Sequence, residues 1–307
     1  MENIILQTNN LTKKLGGVNV LEDINITLYD KHIYGFIGEN GAGKTTLMKI
    51  LTGLSHQTSG SFSILGKSGK KEQESVRKCI GSTIEGPALY SGYTVYENLE
   101  LQRILVGNPD RDACDNILKM VDLYGSRRKK VRTLSMGMKQ RLSIALALVG
   151  NPPFLILDEP INGLDPKNIS SLRKLLQKLN TEKDLTVFIS SHILGELYLL
   201  ATDYIIIHHG KIIDVLTHEE LEAKCRKYIC IKTNTVPLAL TVLDREFQSP
   251  EYKVVSDNEI HLYSCLDEIE SVSLAFMEND IVVTEFAVSE QSLEEYFLDA
   301  IGGEGNV

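Results

Sequence analysis

The pattern of apolar and polar positions along this chain changes character twice. Residues 3–35 read as strands and turns: Ile4-Ile5-Leu6 is apolar, Gly16-Gly17 marks a turn, and Leu21, Ile24, Ile26 and Leu28 have polar residues between them. Ile33-Tyr34-Gly35-Phe36-Ile37 is a short apolar run suited to a buried strand, and Thr46–Leu51 has the spacing of a helix start. Ser61–Leu65 and Ile80–Ile84 predict two more strands, and the lysine-rich stretch Lys67–Lys78 between them reads as a solvated face. From about Glu85 to Val149 the spacing becomes helical, carried first by Val95, Leu99, Leu101, Ile104 and Leu105. Ile117, Leu118, Val121 and Leu123 continue it, beyond a turn at Gly107-Asn108-Pro109-Asp110. A helical block within a strand-rich domain predicts a separate docking lobe. Strands return at Phe154–Leu157 and Thr186–Ile189. The helix between them carries Ile169, Leu172, Leu175, Leu176 and Leu179 on one face.

Chemistry gathers at the ends of these apolar runs. Gly38-Glu39-Asn40-Gly41-Ala42-Gly43-Lys44-Thr45-Thr46 fits the phosphate-loop pattern of Gly, four free positions, Gly-Lys and Ser or Thr, in the strand-loop-helix setting it needs. Its glycines let backbone N–H groups turn inward round a polyphosphate, and the helix N-terminus adds positive potential. Lys44 would reach the terminal phosphates, and the Thr45 hydroxyl would ligate Mg²⁺. Phe154-Leu155-Ile156-Leu157 predicts a buried parallel strand that delivers Asp158 and Glu159 at its C-terminal edge, where α/β sheets bind ligands. Asp158 is placed to hold magnesium, directly or through water, and Glu159 to orient and deprotonate an attacking water. Other positions admit plainer readings. Ser135 is a helix N-cap that can also offer its hydroxyl to an anion. Asp165 as N-cap and Pro166 at the first helical position explain themselves structurally. His192, alone after a strand, reads by position as an interior residue, and Arg127-Arg128-Lys129-Lys130 as an exposed loop.

With 307 residues there is room for two domains, and 43% apolar with 24% charged is ordinary for a soluble globular protein. A net charge of −9 argues against a broad nucleic-acid-binding face. Cys79, Cys114, Cys225, Cys230 and Cys265 are scattered, without a Cys-x-x-Cys pair or a His at metal spacing. They are expected to be free thiols in a reducing compartment, with no structural metal. Met1-Glu2-Asn3 has no basic region before an apolar core, so no signal peptide is expected. The apolar runs at Ile144–Val149 and Tyr204–Ile207 fall far short of the ~20 residues that span a bilayer. At a membrane, another chain would have to hold this one in place.

Taken in order, these pieces resemble the ATPase subunit of an ABC transporter over nearly the whole length. Gly38–Thr46 resembles the Walker A loop and Leu134-Ser135-Met136-Gly137-Met138-Lys139-Gln140-Arg141 the family signature. Leu155–Glu159 is similar to Walker B, Asn162–Asp165 to the D-loop and His192 to the switch histidine. The signature discriminates, because kinases and GTPases share Walker motifs. Gly81–Leu89, Ser190-Ser191-His192-Ile193-Leu194 and Ser292–Phe297 further resemble the bacitracin-resistance and lantibiotic-immunity exporters.

The resemblance implies an α/β fold of P-loop NTPase type: a RecA-like core with an antiparallel β-subdomain and an inserted helical subdomain at about 85–150. This nucleotide-binding domain would span 1–220. ATP would contact Gly38, Asn40, Gly41, Ala42, Gly43, Lys44, Thr45 and Thr46, with Leu15 and Val20, and also Ser135, Gly137, Met138 and Asp165. Thr45, Glu85 and Asp158 would hold Mg²⁺, with Glu159 as base, His192 on the γ-phosphate and Glu85 beside them. The implied partners are an integral membrane permease and a second nucleotide-binding subunit, most simply a second copy closing head to tail on two MgATP. No nucleic acid and no direct insertion into the bilayer are expected, and the place of work is cytoplasmic, peripheral at the inner face of the cell membrane.

Two positions depart from the family's usual pattern. Glu85 stands where most members carry glutamine, though glutamate recurs in the bacitracin and lantibiotic group; an ionised carboxylate accepts but cannot donate. Coupling should persist, with altered magnesium electrostatics. Leu15 stands where an aromatic usually stacks on adenine, which predicts looser adenine recognition.

The tail, 221–307, predicts a small C-terminal α/β domain in a packing role. Its expected strands are Tyr228–Lys232, Asn258–Tyr263 and Ile281–Val288, with a helix over Leu266–Met277 and a last helix capped by Ser292 with Glu295. The leading function is energy coupling for an exporter of antimicrobial peptides. The alternative is a soluble ABC ATPase acting on a ribosome or nucleic acid.

Overall fold

A computed structural model describes residues 3–68, 75–86, 88–225, 227–290 and 293–302. The chain divides into two compact units, one ending at His218 and the other beginning at Glu219.

In the first unit, β1 (Ile4–Leu15) turns back through Gly16-Gly17 onto β2 (Val18–Ile24), and β3 (Thr27–Tyr29) pairs with β1. The alternating run Leu21–Leu28 is therefore two strands. Thr8 divides them: its hydroxyl donates to the Ile24 carbonyl and accepts from the Ile26 N–H, both at 2.9 Å. Next come β4 (Ile33–Ile37), α1 (Lys44–Leu51), β5 (Ser59–Ile64), β6 (Lys67–Ser68) and β7 (Ile80–Thr83). Residues 69–74 of the lysine-rich stretch lie outside the described residues.

The helical block is α2 (Val95–Val106), α3 (Ala113–Met120) and α4 (Met136–Leu148). α2 starts sharply because Thr94 and Glu97 form a capping box, and it stops at Gly107, whose positive φ closes the last turn. Then follow β8 (Phe154–Leu157), α5 (Pro166–Lys183), β9 (Thr186–Ser191), α6 (Leu194–Tyr198), β10 (Asp203–His208) and β11 (Lys211–Thr217).

Two sheets result. One is antiparallel, in the order β2-β1-β5-β6 with β3 on β1. The other runs β11-β10-β4-β9-β8-β7 and is parallel except at β11. Every residue of β4, β8 and β9 is buried, as strands covered on both faces must be. Phe36 and Phe188 meet between β4 and β9 with ring centroids 5.1 Å apart, in a core that includes Leu47, Met48, Phe154 and Ile156. Because β4, β9 and β8 are neighbours and run parallel, the loops leaving their C-terminal ends converge on one edge. No helix among the described residues is long and apolar enough to cross a membrane.

The second unit holds most of α7 (His218–Lys224), then β12 (Lys227–Thr233), α8 (Val236–Glu246), β13 (Tyr252–Ser256), β14 (Glu259–Leu262), α9 (Ile269–Glu278), β15 (Val283–Glu290) and α10 (Leu293–Gly302). Its antiparallel sheet runs β13-β14-β12-β15. Ile229, Ile231, Ile260 and Leu262 form one face of that sheet, in a core with Ala239, Val242 and Leu243 of α8 and Val272 and Phe276 of α9. α9 begins at Ile269 rather than Leu266, though Leu266 still packs on this core. α8 and β13 go beyond the sequence reading. The run from Val236 to Leu243 is too densely apolar to show a helical period, and Lys253–Ser256 of β13 are exposed, leaving no alternation to read. Ser292 of the expected capping box lies outside the described residues.

Candidate nucleotide site

The loop between β4 and α1 is built for an anion. Gly43 sits at φ 111°, and a Cβ there would lie 2.7 Å from Leu21 and 2.9 Å from the Val20 carbonyl. A Cβ on Gly38 would lie 2.5 Å from the Ile207 carbonyl. Both positions need glycine because β2 and β10 pass directly against the loop. Lys44 is only 5% exposed. Its Nζ donates to the Gly38 carbonyl at 2.6 Å and the Glu39 carbonyl at 3.1 Å, and lies 3.3 Å from Glu159 Oε1. The ammonium is thus folded into its own loop and held by ligands that a phosphate can replace.

β8 delivers the two acids side by side. Asp158, 7% exposed, accepts from the Thr45 hydroxyl at 3.1 Å on Oδ1 and 2.9 Å on Oδ2. Glu159 occupies a left-handed backbone conformation, φ 46°, rare for a residue with a side chain. Ser190 of β9 supports both: its hydroxyl donates to Asp158 Oδ1 at 2.8 Å and accepts from the Glu159 N–H at 2.9 Å. Sequence reasoning noticed Ser190 only as part of a family string. Its place at the end of an apolar strand, parallel and adjacent to the one carrying the acids, is the signal that could have found it.

His192 Nδ1 lies 2.9 Å from Glu159 Oε2, so the position that alone suggested an interior residue is an exposed one at the acids. A neutral imidazole donating from Nδ1 presents Nε2 as an acceptor. It would meet a phosphate oxygen through Nε2 only as imidazolium, or by releasing Glu159. Glu85, also at positive φ (57°), is exposed and pairs with Lys49 Nζ at 2.5 Å. Glu85, Asp158 and Glu159 line a cleft of about 480 Å³ with Met136, Gln140, Asn162 and Gly163.

The other predicted residues sit elsewhere. Leu15 is at the tip of the β1–β2 hairpin, paired with Val18; the two are 53% and 67% exposed and form a small apolar surface. Val20 borders Gly43 through its carbonyl. Asn40 and Gly41 are exposed on the loop, and Ala42 is buried in it. Thr46 lies in the first turn of α1. Ser135 caps α4, accepting from the Met138 N–H at 3.3 Å, and is exposed. Buried Gly137 faces Asn168, whose side chain a Cβ would meet at 2.5 Å, and Asn168 is held by Asp165 through bonds of 2.8 and 2.7 Å. The signature segment and the start of α5 are therefore one packed piece, further tied by an Arg141–Ser171 hydrogen bond.

The donor set fits magnesium. A hydroxyl and a carboxylate already converge at Thr45 and Asp158, beside the buried Oε1 of Glu159, which is paired with Lys44. Thr45, Asp158 and Glu85 carry the hard oxygen donors that such an ion would take.

Comparison with known proteins agrees with this geometry. The family described as ABC transporter matches residues 21–162. The bacitracin transport ATP-binding protein BcrA of Bacillus licheniformis is 40% identical over 97% of this chain and 98% of its own length. The lantibiotic transport ATP-binding protein SrtF of Streptococcus pyogenes is 41% identical over 68% of this chain and 89% of its own. Among solved structures, cbiO1 of Clostridium perfringens, part of the ABC transporter complex cbiONQ, superposes with a TM-score of 0.65 at 27% identity, covering 80% of this chain and 96% of that one. An ATP-binding cassette solved as a dimer in a post-hydrolysis state, with ADP and phosphate bound, gives 0.64 at 27% identity, covering 70% and 99%.

Proposed function

The chain belongs to the ABC transporter family as an ATP-binding, ATP-hydrolysing subunit, and from that premise we propose that it powers export of an antimicrobial peptide through separate membrane subunits. One observation carries the catalytic half: Lys44, Thr45, Asp158, Glu159, Ser190 and His192 meet at the shared C-terminal edge of β4, β8 and β9.

In this reading Lys44 exchanges its loop carbonyls for the β- and γ-phosphates. Glu159, released from Lys44, takes the proton of the attacking water. Ser190 keeps the two acids in register, and His192 leaves Glu159 to hold the γ-phosphate. Mg²⁺, held by Thr45 and Asp158 with Glu85 nearby, would neutralise charge on the phosphates. Leu15 and Val18 offer adenine an apolar surface. Ser135 and Gly137 of one copy would contact the γ-phosphate bound by a second copy, so closure needs ATP and hydrolysis reopens the pair. The dimeric ADP-and-phosphate form of the similar cassette supports this arrangement. The helices α2 to α4 would pass the motion to a permease at the inner membrane face.

The cargo is proposed from relatives whose names concern bacitracin and lantibiotic transport. Co-expression with a candidate permease tests it. ATPase activity should rise on adding bacitracin or a lantibiotic, and the chain should co-purify with an integral membrane protein. Co-sedimentation with ribosomes, without a membrane partner, would instead favour the soluble alternative.

A further inference from the structure

Strand pairing in the second unit assembles a group of side chains that sequence spacing hides. On β12 and β14, Cys230 and His261 are direct cross-strand partners. Side chains alternate across a sheet, so Glu259, two residues before His261, lies on the same face. That face is opposite the one where Ile229, Ile231, Ile260 and Leu262 join the core of α8 and α9. His261 Nε2 lies 2.9 Å from Glu259 Oε1, and Cys230 Sγ 3.7 Å from the same oxygen. One ligand atom from each residue falls within 4.8 Å of the other two.

Cys230 and His261 are 5% and 8% exposed. The His261 ring stacks on Tyr228 at 3.8 Å, which fixes its orientation. Lys232 bridges outward, 3.9 Å from Glu259 and 2.7 Å from Glu285.

A His–Glu hydrogen bond alone would be an ordinary surface pair. What distinguishes this group is the thiol converging on the same carboxylate oxygen, giving sulfur, nitrogen and oxygen donors from two rigid strands. We propose that Cys230, Glu259 and His261 bind a divalent transition metal of the zinc class. Thiolate, imidazole and carboxylate are the ligands Zn²⁺ takes in tetrahedral sites, and water or a further group completes a fourth position. Charge balances: a thiolate and a carboxylate neutralise the ion, while Lys232 retains Glu285. Burial first, and the Glu259 charge second, hold the Cys230 thiol above the usual range. Uptake therefore expels the thiol proton, and the imidazole binds through a ring nitrogen that carries none. Such an ion would pin β12 to β14 and make the accessory unit sensitive to metal supply.

The test uses the full chain, stripped with chelator and titrated with Co²⁺ as a spectroscopic probe and then Zn²⁺. One Co²⁺ per chain should bind, giving a thiolate-to-metal charge-transfer band that Zn²⁺ abolishes and Mg²⁺ leaves unchanged. In Cys230→Ser the band should vanish. In His261→Gln affinity should fall by at least the roughly 10–100-fold that loss of an outer-shell partner costs. Stripped Cys230→Ser should keep the parent's far-ultraviolet circular dichroism and melting profile, which reports that the unit carrying the substitution is folded. An undiminished band in folded Cys230→Ser would put the metal on another cysteine and overturn the proposal, as would absence of any band in the parent.

Discussion

At the residue scale, the proposed catalytic edge is held by bonds that a bound nucleotide would have to replace. Lys44, Glu159 and His192 form a chain of contacts, and Ser190 fixes the strained Glu159 backbone beside Asp158. Glu159→Gln should lower turnover by about 10²–10⁴-fold, the range of a general base, while ATP affinity stays near the parent value. Full ATPase in that variant would remove Glu159 from the role. Leu15→Tyr addresses the adenine surface. Base–aromatic stacking contributes about 1–3 kcal/mol and every base has a π-face, so the variant should bind both ATP and GTP more tightly. Equilibrium binding of the two nucleotides decides it, and unchanged affinities for both would mean that Leu15 does not face the base.

At the element scale, the contact between α4 and α5 joins two motifs that the sequence shows as separate. Gly137→Ala would drive a methyl into Asn168, which Asp165 holds at the α5 N-terminus. A loss of about 1–2 kcal/mol is expected, from overpacking and a disturbed cap. Adding Asn168→Ala should return part of it, and strictly additive losses in a double-mutant cycle by thermal melting would contradict the contact. This level also shows what could be read in advance. Phe154–Leu157 and Ile33–Ile37 are apolar throughout because they are covered on both faces, so strand, acids and glycine loop were all legible. Ser190, the Gly137–Asn168 contact and the Cys230–Glu259–His261 group were not. Each depends on which strands or helices become neighbours, and no local period encodes that.

At the scale of the whole molecule, each unit has its own buried core. Unfolding should therefore show two transitions. ATP with Mg²⁺ should raise only the one belonging to the first unit, by about 2.7 kcal/mol at a hundred times the dissociation constant. Calorimetry with and without nucleotide reads this, and a single transition moved as a whole by ATP would show the two units to be thermodynamically one. The proposed mechanism needs a site completed by a second copy, because Ser135 is exposed at the tip of α4 and, among the described residues, bonds only within its own helix turn. The most direct measurement is the structure of the Glu159→Gln protein trapped with ATP. Ser135 Oγ of one copy should lie within hydrogen-bond distance of the γ-phosphate held by Lys44 of the other, whereas a complex with Ser135 remote from every phosphate would contradict the account.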